Sequence, residues 1–157
     1  MPKNANSGHA MPYVHLALMT GLSFIAMYVL MYAMVDRLGY VYNSLNQVWM
    51  AALMAAPMVL IEIIVMRQMY PSTSANYALI AGSIVAGVAF FALIRFQVGI
   101  GDTQFIRSMI PHHSGAILMC RQAPIGDAEL RKLCSEIIQG QQREIDQMEA
   151  ILARLNK

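Results

Sequence analysis

The chain has 157 residues, of which 57% are hydrophobic and only 13% charged, with a formal net charge of +2 and 14 methionines. So little net charge excludes the electrostatic footprint of a nucleic-acid-binding protein, and so much apolar surface excludes an ordinary soluble domain. The length leaves room for a few membrane spans and one small soluble module, and most of the charges fall after Ile94.

Residues 1–13 are small and polar and are expected to form a flexible N-terminal tail. His9, Met11 and, just beyond, His15 carry metal-donor atoms, but incidental donors are the simpler account. The apolar stretch that follows is too long for a cleavable leader and lacks its small-residue cleavage pattern. Val14–Val35 is free of charge and about long enough to cross a ~30 Å hydrocarbon core. Asp36–Gln47 is a polar loop with aromatics at its rim.

Val48–Met66 predicts a second span, with Pro57 as a kink and Glu62 near its far end. An ionisable residue inside a span points to function, but Glu62 lies close enough to Arg67 to reach the water interface. Both accounts stay open. Tyr77–Ile94 is the third span, where Ala78, Gly82 and Ala86 recur every four positions as a close-packing face for another helix. Residues 14–97 are therefore expected to form a three-helix transmembrane domain, and 98–157 a helical hairpin.

The stretch Gly101–Met119, GDTQFIRSMIPHHSGAILM, combines Met109, Pro111, His112, His113 and Met119 on an amphipathic helix. Asp102 suits its N-cap, and Pro124 ends it. A second helix, Asp127–Leu155, opens with Asp127 and Glu129 and closes with Arg154 and Lys157, the favourable charges for its dipole. Its seam reads Leu130, Cys134, Ile137, Gln141, Glu144, Met148, Ile151 and Leu155, alternating four and three. The matching seam on the first helix is Phe105, Met109, His112, Ala116, Met119 and Ala123. Folded back about Asp127, the chain sets His113 opposite Gln141, His112 opposite Gln142, Ile110 opposite Glu144 and Cys120 opposite Cys134. The polar interruptions of both seams thus fall at one level.

Pro111 removes a helical hydrogen bond, at a cost on the order of 3 kcal/mol. It either shapes a site or marks a helix start. Imidazole and thioether donors favour Cu(I), and by extension Ag(I), over Mg or Ca. Met109, His112, His113, Met119 and Met148 are the candidate ligands. Glu144 is a ligand or a partner that orients a histidine ring. Gln141, Cys120 and Cys134 are secondary candidates. No His-Glu-x-x-His, Gly-rich phosphate loop or serine elbow is present, so an enzyme reading ranks last.

The stretch Gly101–Leu155, with MIPHHSGAILM and QQREIDQM, resembles the bacterial family catalogued as domain of unknown function 305. The resemblance implies a ferritin-like hairpin that pairs into four-helix bundles, and an association with copper or silver binding and tolerance outside the cytoplasm. It carries over Met109, His112, His113, Met119, Glu144 and Met148 as motif positions. Three spans followed by this hairpin also look like the membrane-anchored members.

The fold expected is therefore all-α, three transmembrane helices followed by a two-helix antiparallel hairpin. The function expected is an integral membrane protein that binds Cu(I) or Ag(I), with the lipid bilayer, the metal ion and further copies of itself as partners. The alternative is a structural module whose His, Gln and Glu residues form a buried polar network that fixes the register of a bundle. The charges flanking the spans lean slightly toward a cytoplasmic hairpin. The resemblance implies instead a multi-pass protein of the bacterial inner membrane with the hairpin outside the cytoplasm. Cys120 and Cys134 would close a disulfide in an oxidising compartment, and be thiolate ligands or small core residues in a reducing one.

Overall fold

A computed structural model describes residues 7–156 of the chain. Residues 1–6 of the expected tail, with Lys3, and the side chain of His9 lie outside the described residues. The described residues form five α-helices and three short 3-10 turns, with no strand among them. They are α1 (Ser7–Leu30), α2 (Leu45–Val65), α3 (Thr73–Arg95), α4 (Asp102–Gln122) and α5 (Ala128–Leu155). The chain divides into two compact units, Met1–Val29 with Val48–Val98, and Leu30–Gln47 with Gly99–Lys157.

The first unit holds α1, most of α2 and α3. Three helical stretches, Ala10–Met34, Leu45–Val65 and Thr73–Arg95, are long and apolar enough to cross a membrane. Helix α1 begins at Ser7 rather than at Val14 and runs through Pro12. At one end of the unit Leu16, Ile63 and Tyr70 form a small core, flanked by Tyr13, Val59 and Ile80. Polar bonds close over it. The Tyr13 hydroxyl accepts from the Ser72 N–H at 3.1 Å and donates to Asn76 Oδ1 at 2.9 Å, and the Asn76 amide donates to the Tyr70 carbonyl at 3.0 Å.

Glu62 accepts a hydrogen bond from the Tyr70 hydroxyl at 3.1 Å, which gives this carboxylate a structural partner at the end of α2. Burial, and then the bond to Glu62, push the Tyr70 phenol up to about 12. Helices α2 and α3 come close where both are small: a Cβ on Gly87 would stand 3.7 Å from the Ala56 Cβ. The expected packing face Ala78, Gly82 and Ala86 instead borders an apolar cleft, and a Cβ on Gly82 would meet nothing within 4 Å.

The second unit is built on α4 and α5. Helix α4 starts one residue after Gly101, so Asp102 lies in its first turn instead of capping it. It continues through Pro111, which settles the proline as internal to the helix. Asp127 caps α5, its carboxylate accepting from the Leu130 N–H at 2.8 Å. The buried stripe of α4 is Ile106, Ile110, His113 and Ile117, and that of α5 contains Cys134, Ile145 and Leu152, with Ile138 and Met148 packed beside them.

This seam is rotated by one residue, about 100°, from the expected Phe105–Met109–His112 frame. Phe105, Met119 and Leu130 are exposed. Both frames satisfy a four-three alternation, and the isoleucines occupy the buried one. The loop between α1 and α2 packs onto the buried frame. Tyr40 enters the hairpin core with Ile106, Ile110 and Ile145, while Val35 and Tyr42 pack against it. A Cβ added at Gly115 would stand 3.4 Å from the Met34 carbonyl, so a third layer lies close against that side of α4. Leu30–Gln47, expected within the 14–97 membrane domain, is thus part of the hairpin unit.

Candidate metal centre

The middle of the hairpin is organised by His113. It is one of the few buried polar residues, and its ring is fixed at both nitrogens. Nδ1 lies 2.9 Å from the Met109 carbonyl one turn earlier on α4, and Nε2 lies 2.7 Å from Glu144 Oε2 on α5. A carbonyl and a carboxylate are both acceptors, so a ring with hydrogens on both nitrogens can donate to each. The Glu144 side chain is 56% exposed, so the pair spans from the helix interface to solvent. Glu144 was expected opposite Ile110; it meets His113 because its long side chain reaches along the seam by about one turn.

The other candidate residues are spread along the hairpin. His112 is exposed, its ring centroid 6.2 Å from that of His113. Met109 is half-buried, one helical turn before the histidines. Met119 is exposed and lies two turns beyond His112, which separates it from the His112–His113 level. Met148 packs against the hairpin core, and Gln141 is half-buried on α5. Cys120 and Cys134 form a disulfide with a Cα–Cα separation of 5.2 Å, inside the usual range. Bonded to each other, these sulfurs offer no thiolate to a metal. Among the described residues, no group of three or more His, Cys, Asp and Glu side chains converges on one point. The structure therefore joins His113 to Glu144 and to the Met109 carbonyl, with the His112 ring beside it.

Sequence reasoning missed the residues that brace this level from the loop. The Asp36 N–H donates to the Ser114 hydroxyl at 2.8 Å, and the Asp36 carboxylate accepts from Arg121. The Gln142 amide donates to the Tyr40 hydroxyl at 2.9 Å and to Asp146 at 2.8 Å. The Tyr42 hydroxyl donates to Glu149 at 3.4 Å; burial, and then the charge of Glu149, raise its phenol above the ordinary tyrosine value. One signal for this docking was available. Ser114 and Gly115 are small residues directly after the His pair, where a helix lets another backbone come close.

The family described as "Domain of unknown function (DUF305)" matches residues 92–157, which covers α4, α5 and the segment leading into them. The chain is also 32% identical over 138 residues to an uncharacterized protein of Acanthamoeba polyphaga mimivirus, an alignment spanning 86% of this chain and 89% of the viral one. No solved structure matches it. The C-terminal segment of the chain, residues 92–157 with both hairpin helices, belongs to the DUF305 family.

Proposed function

We propose that this chain is an integral membrane protein whose C-terminal hairpin binds Cu(I) or Ag(I), and that it serves copper or silver handling or tolerance. The observation that carries the reading is the fixation of His113. Its Nδ1 is held on a backbone carbonyl, the arrangement by which metal-binding histidines are commonly oriented, and its Nε2 faces a carboxylate. Nε2 is then the nitrogen that would exchange its partner for a cation. His112 would add a second imidazole beside it, and Met109 a thioether one turn earlier on α4. Donors of this softness suit a monovalent coinage metal, which would arrive as cargo. Met119 and Met148, further along the helices, would be secondary stations.

The disulfide supports a hairpin facing an oxidising compartment, hence outside the cytoplasm, as a multi-pass protein of a bacterial inner membrane would place it. The three apolar stretches support the membrane reading.

The test is a competitive Cu(I) titration of the full chain in detergent on a Cys120→Ser/Cys134→Ser background, beside the same protein with His112→Ala and His113→Ala. The expected result is at least a tenfold loss of affinity with helicity retained. Affinity indifferent to both histidines would sink the proposal.

A second reading is favoured by the same bonds. Both nitrogens of His113 are already partnered, and the Tyr40–Gln142–Asp146 bonds extend the polar set across the hairpin. On this account the network fixes helix register and supports self-assembly. It expects the histidine variants to lose stability or change oligomeric state equally with and without metal.

A further inference from the structure

A cleft of about 580 Å³ opens between α2 and α3 at the end where the two helices meet their connecting turn. That volume lies within the ~300–1,000 Å³ typical of small-ligand pockets. Its inner wall is apolar, made by Ile63, Ile64 and Ile80. Its rim is polar, made by Arg67, Gln68 and the exposed Tyr77. Arg67 and Gln68 lie just past Val65, where the second apolar stretch ends, and Tyr77 lies in the first turns of the third. An apolar wall running along two spans, topped by a guanidinium, has the polarity profile of a phospholipid near its headgroup.

The charge at the rim is free for an outside ligand. Among the described residues no carboxylate pairs with Arg67. Glu62, the acid nearest to it in sequence, is engaged by the Tyr70 hydroxyl. The cleft is also built in advance, because the Tyr13, Ser72, Asn76 and Tyr70 bonds tie α1 to the start of α3, and the Tyr70–Glu62 bond adds the end of α2. A rigid cleft spares a ligand the ordering cost that a loose one would impose.

We propose that this cleft is a binding site for an anionic phospholipid, with Arg67 forking onto the phosphate and the acyl chains lying against Ile64 and Ile80. Guanidinium matches phosphate oxygens in a two-bond geometry, and Gln68 can add an amide donor. Tyr77 supplies an amphipathic ring of the kind that favours the membrane interface. The inference rests on the membrane reading above and is independent of the metal.

The experiment is native mass spectrometry of the full chain in neutral detergent, titrated with phosphatidylglycerol, with phosphatidylcholine of the same acyl chains, and with inorganic phosphate. Arg67→Gln is the test variant. Arg95→Gln, at the other end of α3, is the control. The expected result is a preference for phosphatidylglycerol over phosphatidylcholine of about tenfold, abolished by Arg67→Gln and kept by Arg95→Gln. Equal losses in the two variants would reduce the effect to bulk surface charge and overturn the site. Inorganic phosphate binding as tightly as the lipid would overturn the lipid assignment. Extraction of the wild-type chain into buffer without detergent would overturn the membrane reading and the lipid site with it, whereas loss of the lipid preference in detergent would overturn the site alone.

Discussion

The backbone N–H of Asp36 donates to the Ser114 hydroxyl at 2.8 Å, joining two residues 78 positions apart. Ser114 is fully buried and sits directly after the His pair, so this bond holds the α1–α2 loop against α4 beside the candidate metal centre. Without the hydroxyl, the Asp36 N–H would be left unpartnered. Ser114→Ala is expected to cost about 1–3 kcal/mol of hairpin stability. Hydrogen exchange should show the Asp36 amide exchanging faster while the amides in the middle of α5 stay protected.

Tyr40 acts as a core residue of the hairpin although it lies in a loop. Tyr40→Ala should destabilise the unit by about 3 kcal/mol, the range for losing a large buried ring. Two positions earlier, Leu38 is 92% exposed. Leu38→Ala should change stability by no more than about 0.5 kcal/mol. Thermal unfolding followed by circular dichroism compares the two directly, and similar effects would contradict the docking of the loop.

The disulfide between Cys120 and Cys134 spans a sequence separation of 14. Closing a loop of that size constrains the unfolded chain by about 3 kcal/mol. A dithiol reductant should therefore lower the unfolding temperature of the hairpin. The Cys120→Ser/Cys134→Ser protein should start lower and show no response to the reductant.

Tyr70 gives a pH dependence whose sign follows from its environment. Burial, and then Glu62, hold its phenol at about 12 against an ordinary value of 10.0. The unfolded chain ionises first, so the stability contributed by the protonated phenol is fully present below pH 10 and is lost as pH rises through about 12. Alkaline unfolding in detergent should steepen in that window for the wild type and flatten for Tyr70→Phe. Phenolate absorbance should show one fewer late-ionising group in the variant.

The five helices were readable because their signals are local. Apolar runs with few charges mark the three long apolar helices, and four-three periodicity with Asp127 as a cap marks the hairpin. That Cys120 and Cys134 face each other followed from the position of the turn, but the choice between disulfide, thiolate ligands and packed core residues did not. The rotation of the seam was not readable, because Phe105–Met109–His112 and Ile106–Ile110–His113 obey the same spacing. The isoleucines mark the buried frame, and the docked loop that covers it makes contacts between residues too far apart in sequence to leave a periodic trace. His113 was singled out from its motif, and its ring lies buried between the Met109 carbonyl and Glu144. Its partner was placed one turn away, because a backbone register ignores the reach of a glutamate side chain.

The division of the chain has a consequence for its biosynthesis. The hairpin unit takes its residues from two separate stretches, and the earlier one, Leu30–Gln47, emerges from the ribosome before α2 and α3 have been made. Tyr40 and Asp36 must wait, without their partners, until α4 and α5 follow. A protein cut to begin at Val98 would inherit both hairpin helices and the disulfide, yet lack the layer that fills their core. Its exposed Ile106, Ile110 and Ile145 would favour aggregation over the native packing.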